Sequence, residues 1–279
     1  MSRALTGCLL GCLAWLILAT ACSSGDSSKR TLIQNKGSDT MVNIAQSWAE
    51  NYRTVAPDVG VAVSGGGSGT GIAALVNGTV DIANASRSIK PSERERIKTN
   101  NGVEAIEHTV AADAVAFFVH SDNPLLGLSI EQLACIYGEG GRCENWADVG
   151  TEVPGCAGQQ MIRISRQSNS GTYMFVREAV LGKEGDFKLG SRDMQGSKDV
   201  VDLVASTPCA IGYSGLGYAT DRLKTLCISS RPGATCVVPT LASAKDGSYA
   251  LSRPLFMYTP GEPTGVVRAY IDWIRSAAG

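Results

Sequence analysis

The sequence predicts an α/β protein, in which strand-like runs alternate with amphipathic helical runs. The first helical run has apolar residues at helical spacing, namely Met41, Ile44, Ala45, Trp48 and Tyr52. The strand-like run that follows has valine at every second position, at Val59, Val61 and Val63. With 279 residues and 44% apolar side chains, the chain is long enough for two packed domains.

Later elements continue this alternation along the chain. Strands are predicted at 114–119, 161–165 and 210–214, and helices at 172–181, 198–206 and 266–276. Two pairs, Ser92 with Glu95 and Ser129 with Gln132, have the spacing of a capping box and predict helix starts. Gly102 predicts the end of the helix that Ser92 opens.

The charge balance argues against nucleic acid as a partner. Lys and Arg number 25 and Asp and Glu number 26, which gives a formal net charge of −1. Binding to a phosphate backbone depends on clustered cations that release counterions. This chain has no such excess, and its composition also excludes a disordered polyelectrolyte.

The N-terminus has the order of a bacterial export signal. One arginine precedes an apolar stretch, and Ala19-Thr20-Ala21 stands directly before Cys22. The stretch is shorter than the roughly 20 apolar residues that span a bilayer. Because the junction resembles a lipoprotein processing site, we predict a signal peptide at 1–21, lipid attachment at Cys22 and a polar tether at 22–28. The protein would then be anchored at the periplasmic or extracellular face of a bacterial membrane. Secretion with cleavage after Ala21 is the alternative.

Six of the nine cysteines lie outside this leader, and an even number in an exported chain predicts disulfides. Two pairs each enclose a short loop that contains glycine: Cys135 with Cys143, and Cys227 with Cys236. Cys156 with Cys209 is the remaining pairing. A zinc site is the competing interpretation, but the sequence has no C-x-x-C and its only histidines are His108 and His120. We therefore predict neither a metal nor a cofactor.

The most informative pattern is a strand-like run that ends in glycine and hydroxyl residues directly before a helix. It occurs three times, at 37–40, 65–71 and 166–172. A helix start exposes unpaired backbone N–H groups, its dipole favours an anion, and glycine lets the backbone approach a ligand closely. Three such starts in one cleft predict a site for an oxyanion, with an arginine that provides bidentate contact.

Each of these segments also has a purely structural interpretation. Ser, Thr and Asp cap helices in proteins of every function, and 65–71 has the composition of a linker. Its position between a strand and an apolar helix argues against a linker. It has no Walker lysine and no correctly spaced G-x-G-x-x-G with a downstream acidic residue, so a nucleotide ligand is not indicated.

Together, these segments resemble the substrate-binding lipoproteins of bacterial phosphate ABC transporters, in the type II periplasmic binding protein class. The resemblance covers nearly the whole mature chain and rests on the order and spacing of segments 37–40, 64–78, 81–87, 166–172 and 253–258. It implies two α/β lobes, joined by two crossover strands, that close on one phosphate ion in the cleft between them. The implied first lobe is discontinuous, 29–112 plus 238–279, and the second lobe is 113–237.

The resemblance also implies which residues hold the anion. From the first lobe they are Ser38, Thr40, Ser68, Gly69, Thr70, Ser86 and Arg87, and from the second lobe Arg166, Ser170, Gly171 and Thr172. Delivery of phosphate to membrane permease subunits is implied as well, and we expect a monomer.

Phosphate keeps a proton at neutral pH and sulfate does not. Selection of phosphate over sulfate therefore requires a group that accepts a hydrogen bond from that proton. A carboxylate accepts that hydrogen bond and repels sulfate. Many members of the family have aspartate after the Ala-Ser pair, where this chain has Arg87. Asp39 is the nearest substitute, with a helix cap as its alternative role, and Asp113 at the predicted crossover is another candidate. Arg87 either adds a second positive contact to the anion or pairs with Glu93 at the surface.

Three alternative functions stay open. The first is another tetrahedral oxyanion, such as sulfate, molybdate or tungstate. The second is a secreted phosphatase or hydrolase with Ser68 or Ser170 as nucleophile, although no G-x-S-x-G elbow, two-metal acidic cluster or related histidine accompanies either serine. The third is a binding protein recruited as a sensor or adhesin. The prediction is a binding protein and not an enzyme.

Overall fold

A mixed sheet of nine strands runs through the protein, with helices against both of its faces. The structure is a computed structural model that describes residues 31–276 and 279. The predicted signal peptide at 1–21, the lipid site at Cys22 and the tether at 22–28 lie outside the described residues. Within the described part, no helix has the length and apolar character needed to cross a membrane.

Strands and helices alternate along the chain, as the sequence predicts. The strands are β1 (Thr31–Gly37), β2 (Val59–Ser64), β3 (Ile82–Ala85), β4 (Ala105–His120), β5 (Gly127–Ser129), β6 (Ile162–Arg166), β7 (Arg192–Met194), β8 (Ala210–Gly215), β9 (Leu223–Thr225), β10 (Cys227–Ser229) and β11 (Ser252–Pro260). The helices are α1 (Val42–Val55), α2 (Ser68–Val76), α3 (Pro91–Asn101), α4 (Ile130–Tyr137), α5 (Gly171–Val176), α6 (Ser197–Ala205), α7 (Leu241–Lys245) and α8 (Gly265–Ile274). The large sheet has the order β2-β1-β3-β11-β4-β8-β6-β7, with β9 beside β4, and β5 pairs with β10 separately.

The 16-residue strand β4 joins the two halves of the sheet. Its first part pairs antiparallel with β11, up to the pair formed by Ala114 and Ser252. Its second part pairs antiparallel with β8, beginning with Val115 and Gly215. The exchange of partner separates a first lobe, with β1, β2, β3 and β11, from a second lobe, with β6, β7 and β8. It lies close to the predicted boundary between 112 and 113.

The apolar cores indicate where the chain returns to the first lobe. In the first lobe, α1 and α8 cover one face of the sheet and α2 and α3 cover the other. Tyr249 and Leu251 belong instead to the large core of the second lobe. The Tyr249 hydroxyl donates to the carbonyl of Val115 (2.8 Å), and the Val115 N–H donates to the carbonyl of Leu251 (2.9 Å). Core membership therefore keeps the chain in the second lobe as far as Leu251, beyond the predicted boundary at Val238, although α7 contacts both β4 and β11.

The start of α4 is the predicted capping box. The Ser129 hydroxyl accepts the N–H of Gln132 (3.1 Å), and the Gln132 side chain accepts the N–H of Ser129 (2.9 Å). The helix predicted at 172–181 forms in two parts. It is α-helical through Val176 and continues as a π-helical turn at Arg177–Leu181.

The start of α3 differs from the prediction, and the Ser92 with Glu95 capping box is wrong. The helix begins at Pro91, because proline suits the first helical position, where no N–H is needed. Glu93, not Glu95, reaches back: its carboxylate accepts the N–H of Lys90 (2.9 Å). The predicted end is confirmed, since Gly102 adopts a φ of 71° there.

Three disulfides lie in the second lobe, in the pairing that the sequence predicts. They join Cys135 to Cys143, Cys156 to Cys209, and Cys227 to Cys236. The second of these spans 53 residues, whereas the other two span 8 and 9. No disulfide lies in the described part of the first lobe, so the cross-links found among residues 31–276 are all in the second lobe.

Candidate functional site

Five buried hydroxyl side chains meet where the two lobes face each other. This hydroxyl cluster consists of Ser38, Thr40, Ser68 and Ser86 from the first lobe and Thr172 from the second. Ser38 Oγ donates to Ser86 Oγ (2.9 Å), and Ser68 Oγ lies 3.4 Å from Ser86 Oγ. The Oγ1 atoms of Thr40 and Thr172 are 2.9 Å apart. The structure therefore brings predicted site residues of both lobes to one place.

The turn after β1 brings the first-lobe hydroxyls together. Gly37 has a φ of 147°, and a Cβ at this position would collide with the carbonyl oxygen of Asn84. This close approach lets the Ser38 N–H donate to the same carbonyl (2.9 Å). The Gly67 N–H donates to the carbonyl of Gly37 (2.9 Å), so the start of α2 lies against the same turn. Ser38 and Ser68 are thus positioned by backbone contacts that require glycine.

The start of α5 closes the cluster from the second lobe. Ser170 caps this helix, and its Oγ accepts the N–H groups of Thr172 (3.2 Å) and Tyr173 (3.3 Å). Gly171 follows the cap. A Cβ at Gly171 would collide with Ser68 Oγ and lie 2.6 Å from Ser86 Oγ, so glycine permits this contact between the lobes.

The predicted residues Gly69 and Thr70 also contact the second lobe. The Gly69 N–H donates to the carbonyl of Asn169 (2.9 Å). The Asn169 amide donates to the carbonyl of Gly66 (2.9 Å) and to Thr70 Oγ1 (3.2 Å). Asn169 carries no prediction of its own, because an amide in a polar loop has no distinctive chemistry. These bonds hold the two lobes in a closed arrangement.

Arg166 ends β6 and is almost fully buried. Its Nε donates to the carbonyl oxygens of Met194 (3.3 Å) and Gln195 (3.2 Å), and its Nη1 donates to Ser197 Oγ (2.9 Å). Nη2 donates to Gln195 (2.6 Å) and, across the cleft, to Asp39 Oδ2 (2.9 Å). Burial lowers the pKa of Arg166, and the negative charge of Asp39 opposes that shift. Because Nη1 carries two hydrogens, one stays available for a further acceptor.

Asp39 connects three segments of the site. Its Oδ1 accepts the N–H of Gly66 (2.8 Å), and its Oδ2 accepts the bond from Arg166. Its backbone carbonyl accepts the hydroxyl of Tyr218 (2.5 Å). Among the described residues, both carboxylate oxygens thus bind groups outside the helix that Asp39 precedes, rather than capping that helix.

A second arginine, Arg253 on β11, lies at the site and is absent from the predicted ligands. Its side chain is 2% exposed, and its Nε and Nη2 both donate to Asp113 Oδ2 (3.0 and 2.8 Å). Nη1 donates to the carbonyl of Ser86 (3.0 Å), and Nη2 also donates to the Oγ1 atoms of Thr172 (3.0 Å) and Thr40 (3.3 Å). Arg253 stands inside a segment that carries the family resemblance, but its sequence position does not show that the guanidinium reaches the cleft.

Arg87 is not brought to the hydroxyl cluster by any hydrogen bond within residues 31–276. Its Nη1 and Nη2 form a bidentate pair with Glu93 (2.8 and 2.7 Å), and Nη1 also donates to the carbonyl of Ser88 (2.9 Å). Burial disfavours the ionised form of Glu93, but the hydrogen bonds from Arg87 and from the Lys90 N–H, together with the charges of both residues, outweigh it, and the pKa of Glu93 is lowered. Within the described residues the Nη atoms of Arg87 thus take the alternative role, the pairing with Glu93, and the contact of Arg87 with the anion stays a prediction.

The site contains two arginine–aspartate pairs and is formally neutral. Arg166 pairs with Asp39, and Arg253 pairs with Asp113. An anion entering here would meet neutral hydroxyl donors and two cations that already have counter-charges, in a water-poor environment where such donors act strongly. Among the residues that the structure describes, no group of three or more His, Cys, Asp or Glu side chains could hold a metal ion.

The two lobes are joined through β4 and β11, and buried hydroxyls and two aspartate-bound arginines lie where they meet. These features define a two-lobed binding protein for a small anion. The family model described as the PBP superfamily domain matches residues 23–278. The chain belongs to this PBP superfamily, and its relatives there include proteins named phosphate-binding protein PstS.

The relatives match most of the chain. The phosphate-binding protein PstS of Pseudomonas aeruginosa is 34% identical over 258 residues, which cover 88% of this chain and 79% of that protein. The phosphate-binding protein PstS of Staphylococcus saprophyticus is 33% identical over 267 residues, which cover 93% of this chain and 81% of that protein. The predicted family is confirmed.

Solved structures confirm the fold class. A phosphate ABC transporter substrate-binding protein from Clostridium perfringens, solved with bound phosphate, superposes with a TM-score of 0.77 at 27% identity and covers 88% of this chain and 94% of its own. An ABC-type phosphate transport receptor from Vibrio cholerae has a TM-score of 0.67 at 27% identity, with the same two coverages of 88% and 94%. The two-lobed α/β architecture of this chain is therefore that of periplasmic phosphate-binding proteins.

Proposed function

We propose that this chain binds inorganic phosphate between its two lobes and delivers it to the permease subunits of an ABC transporter. The hydroxyl cluster carries this proposal, because it collects neutral donors from both lobes beside two buried arginines. The names of the relatives and the phosphate-bound structure from Clostridium perfringens support phosphate as the anion.

The bonds within the closed site suggest how phosphate is held. The Ser86 hydroxyl bonds to those of Ser38 and Ser68, and the Thr40 hydroxyl bonds to that of Thr172. A phosphate oxygen is a charged acceptor and forms stronger bonds with the same hydrogens. Since the donors come from both lobes, phosphate binds the closed form best and shifts the population towards it.

Asp39 is the proposed acceptor of the hydrogen bond from the phosphate O–H. Each of its oxygens already accepts one bond, from Gly66 or from Arg166, and each keeps a lone pair for another. Asp113 is less suitable: its Oδ2 receives two bonds from Arg253, and both of its oxygens lie close to Gly215, where an added Cβ would be 3.1 and 3.3 Å from them. A carboxylate at the position of Asp39 would accept a hydrogen bond from the phosphate O–H and repel fully ionised sulfate.

Titration calorimetry of the mature, phosphate-stripped protein tests the function. We expect tight one-to-one binding of phosphate that persists in excess sulfate. Absence of phosphate binding, together with tight binding of sulfate, molybdate or tungstate, would contradict the proposal and favour another oxyanion.

We further infer that the site binds without catalysing a reaction. The His108 ring bonds with Thr259 (3.0 Å), and the His120 ring accepts the N–H of Asp122 (3.2 Å). Neither ring bonds to Ser68 or Ser170 within the described residues. Hydrolysis of a chromogenic phosphate ester that is abolished by Ser68→Ala or Ser170→Ala would overturn this inference.

Anchoring through a lipid on Cys22, outside the cytoplasmic membrane, completes the proposed role, with the protein acting as a monomer. Partition of the full-length product into the detergent phase of a Triton X-114 separation is the expected result. Cys22→Ser should move the protein to the aqueous phase. If both proteins stay in the aqueous phase, simple secretion replaces lipid anchoring.

A further inference from the structure

Arg253 and Asp113 form an ion pair at the point where the two lobes are joined. They are register partners on β11 and β4, one pair away from the pair of Ser252 with Ala114, beyond which β4 changes its partner to β8. Both side chains are more than nine-tenths buried. A rotation of one lobe against the other must therefore turn about the backbone that carries this ion pair.

The guanidinium of Arg253 contacts both lobes at once. In the first lobe it donates to Thr40 Oγ1 and to the carbonyl of Ser86. In the second lobe it donates to Thr172 Oγ1, and its Cζ lies 5.2 Å from the ring centroid of Phe175. The same nitrogen, Nη2, serves both threonines.

These contacts depend on the lobes being closed. Thr40 stands before α1 and Thr172 in the first turn of α5, and their Oγ1 atoms are only 2.9 Å apart. When the lobes separate, the two hydroxyls must part, and Nη2 cannot donate to both. Asp113 keeps the guanidinium in place through two bonds to one oxygen, so the arginine is fixed while the threonines move.

We propose that Arg253, held by Asp113, is the positioning residue that couples phosphate binding to lobe closure. It does so by aligning Thr40 of the first lobe with Thr172 of the second. This inference rests on the proposed phosphate function. It assigns to Arg253 a role at the hinge that differs from the role of Arg166, which lies at the end of β6 and pairs across the cleft.

The first test replaces Arg253 with lysine. Phosphate affinity is measured by calorimetry, and lobe closure is measured as the decrease in the radius of gyration that phosphate causes in solution scattering. Lysine keeps the charge but cannot bind Asp113, Ser86 and the threonines together. We expect affinity to fall about tenfold or more and the decrease in radius to shrink. Arg163→Lys is the matched control, because Arg163 is also buried and paired, with Glu144, away from the cleft. It should bind phosphate and close like the wild type.

A double-mutant cycle distinguishes coupling from general weakening. If Arg253 acts through Thr172, the losses of affinity in Arg253→Lys and Thr172→Val should be clearly less than additive in the double variant. Full closure in Arg253→Lys, or strictly additive losses, would overturn the inference. Failure of the wild type to bind phosphate or to close would instead reject the proposed function itself.

Gly215 offers a test that changes no charge and does not depend on Arg253→Lys folding. A Cβ at Gly215 would lie 2.8 Å from Thr40 Cγ2 and 3.1 Å from Asp113 Oδ1, two partners of Arg253. Gly215→Ala should therefore reduce both closure and phosphate affinity. Gly217→Ala is the control, since a Cβ there meets no atom within 4 Å. Equal closure in both glycine variants would contradict the coupling role.

Discussion

Asp39 of the first lobe and Arg166 of the second form an ion pair across the cleft, with 2.9 Å between Oδ2 and Nη2. The exposed fractions of the two side chains are 14% and 1%. Burial reduces screening by water, so the pair both joins the lobes and balances the charge of the site. The two partners lead to different predictions.

Arg166→Ala should weaken phosphate binding by about 100-fold or more in titration calorimetry. Removal of one partner from a buried, hydrogen-bonded charge pair costs roughly 2 to 5 kcal/mol, and here it also leaves Asp39 uncompensated beside an anion.

Arg163→Ala is the matched control for Arg166→Ala. Arg163 lies on the same strand, β6, and is also buried, but it binds Glu144 (2.7 Å). This control should lose stability and keep its phosphate Kd within about threefold of the wild type, as expected of a residue outside the site. Equal loss of binding in both variants would mean that the effect of Arg166 is a general loss of folding.

Asp39→Asn should reduce the preference for phosphate over sulfate, measured as the ratio of the two dissociation constants. The amide no longer repels a fully ionised anion, and Arg166 loses its counter-charge, so sulfate gains relative to phosphate. Asp81→Asn is the control, since Asp81 Oδ2 also accepts a backbone N–H, from Gln34 (2.7 Å), but lies outside the site. An unchanged ratio in Asp39→Asn would show that Asp39 does not distinguish phosphate from sulfate.

Arg87→Ala should lower the free energy of unfolding by roughly 1 to 3 kcal/mol, as expected for a lost charged hydrogen bond, and leave phosphate affinity nearly unchanged. The folded pKa of Glu93 lies below its ordinary value of 4.5, so the unfolded chain binds the proton more readily. The stability contributed by the pair is therefore complete above that ordinary value and is lost as the pH falls through the lower, folded pKa.

Urea unfolding across this acid range should show a shallower loss of stability in Arg87→Ala than in the wild type. A large loss of phosphate affinity in the same variant would show that Arg87 reaches the anion after all.

The disulfide between Cys156 and Cys209 should contribute most to stability among the three in the second lobe. A loop-closure model gives about 4 kcal/mol for its separation of 53 residues and about 2.5 kcal/mol for separations of 8 and 9. Paired Cys→Ser variants, compared by urea unfolding, should rank in that order. A larger loss for Cys135 with Cys143 would indicate that native contacts, not loop length, set the contribution.

The parts of the site that could be predicted from sequence are governed by local chemistry. Ser170 caps α5 and Gly171 approaches Ser68, so the Gly and hydroxyl pattern directly reflects backbone requirements. The pairing of Arg87 with Glu93 is also local, since six positions separate the two residues. The sequence therefore offers it as an alternative to a contact between Arg87 and the anion.

The role of Arg253 could not be predicted in the same way. Its contact with Asp113 spans 140 residues and depends on the register between β4 and β11, which no local pattern specifies. The late return to the first lobe has a similar cause. Tyr249 and Leu251 have side chains that suit either core, and only their packing in the second-lobe core and their hydrogen bonds with the Val115 backbone decide between the two.

The place of β11 in the sheet sets the order in which the molecule can be assembled. It lies between β3 and β4, although it comes more than 130 residues after β4 begins. The chain is made from its N-terminus onwards. The second lobe can fold as a unit, because it is continuous in sequence and cross-linked by its own disulfides. The first lobe must keep two strand edges unpaired until Pro260 has appeared. Newly made protein is therefore most exposed to misassociation through β3 and β4.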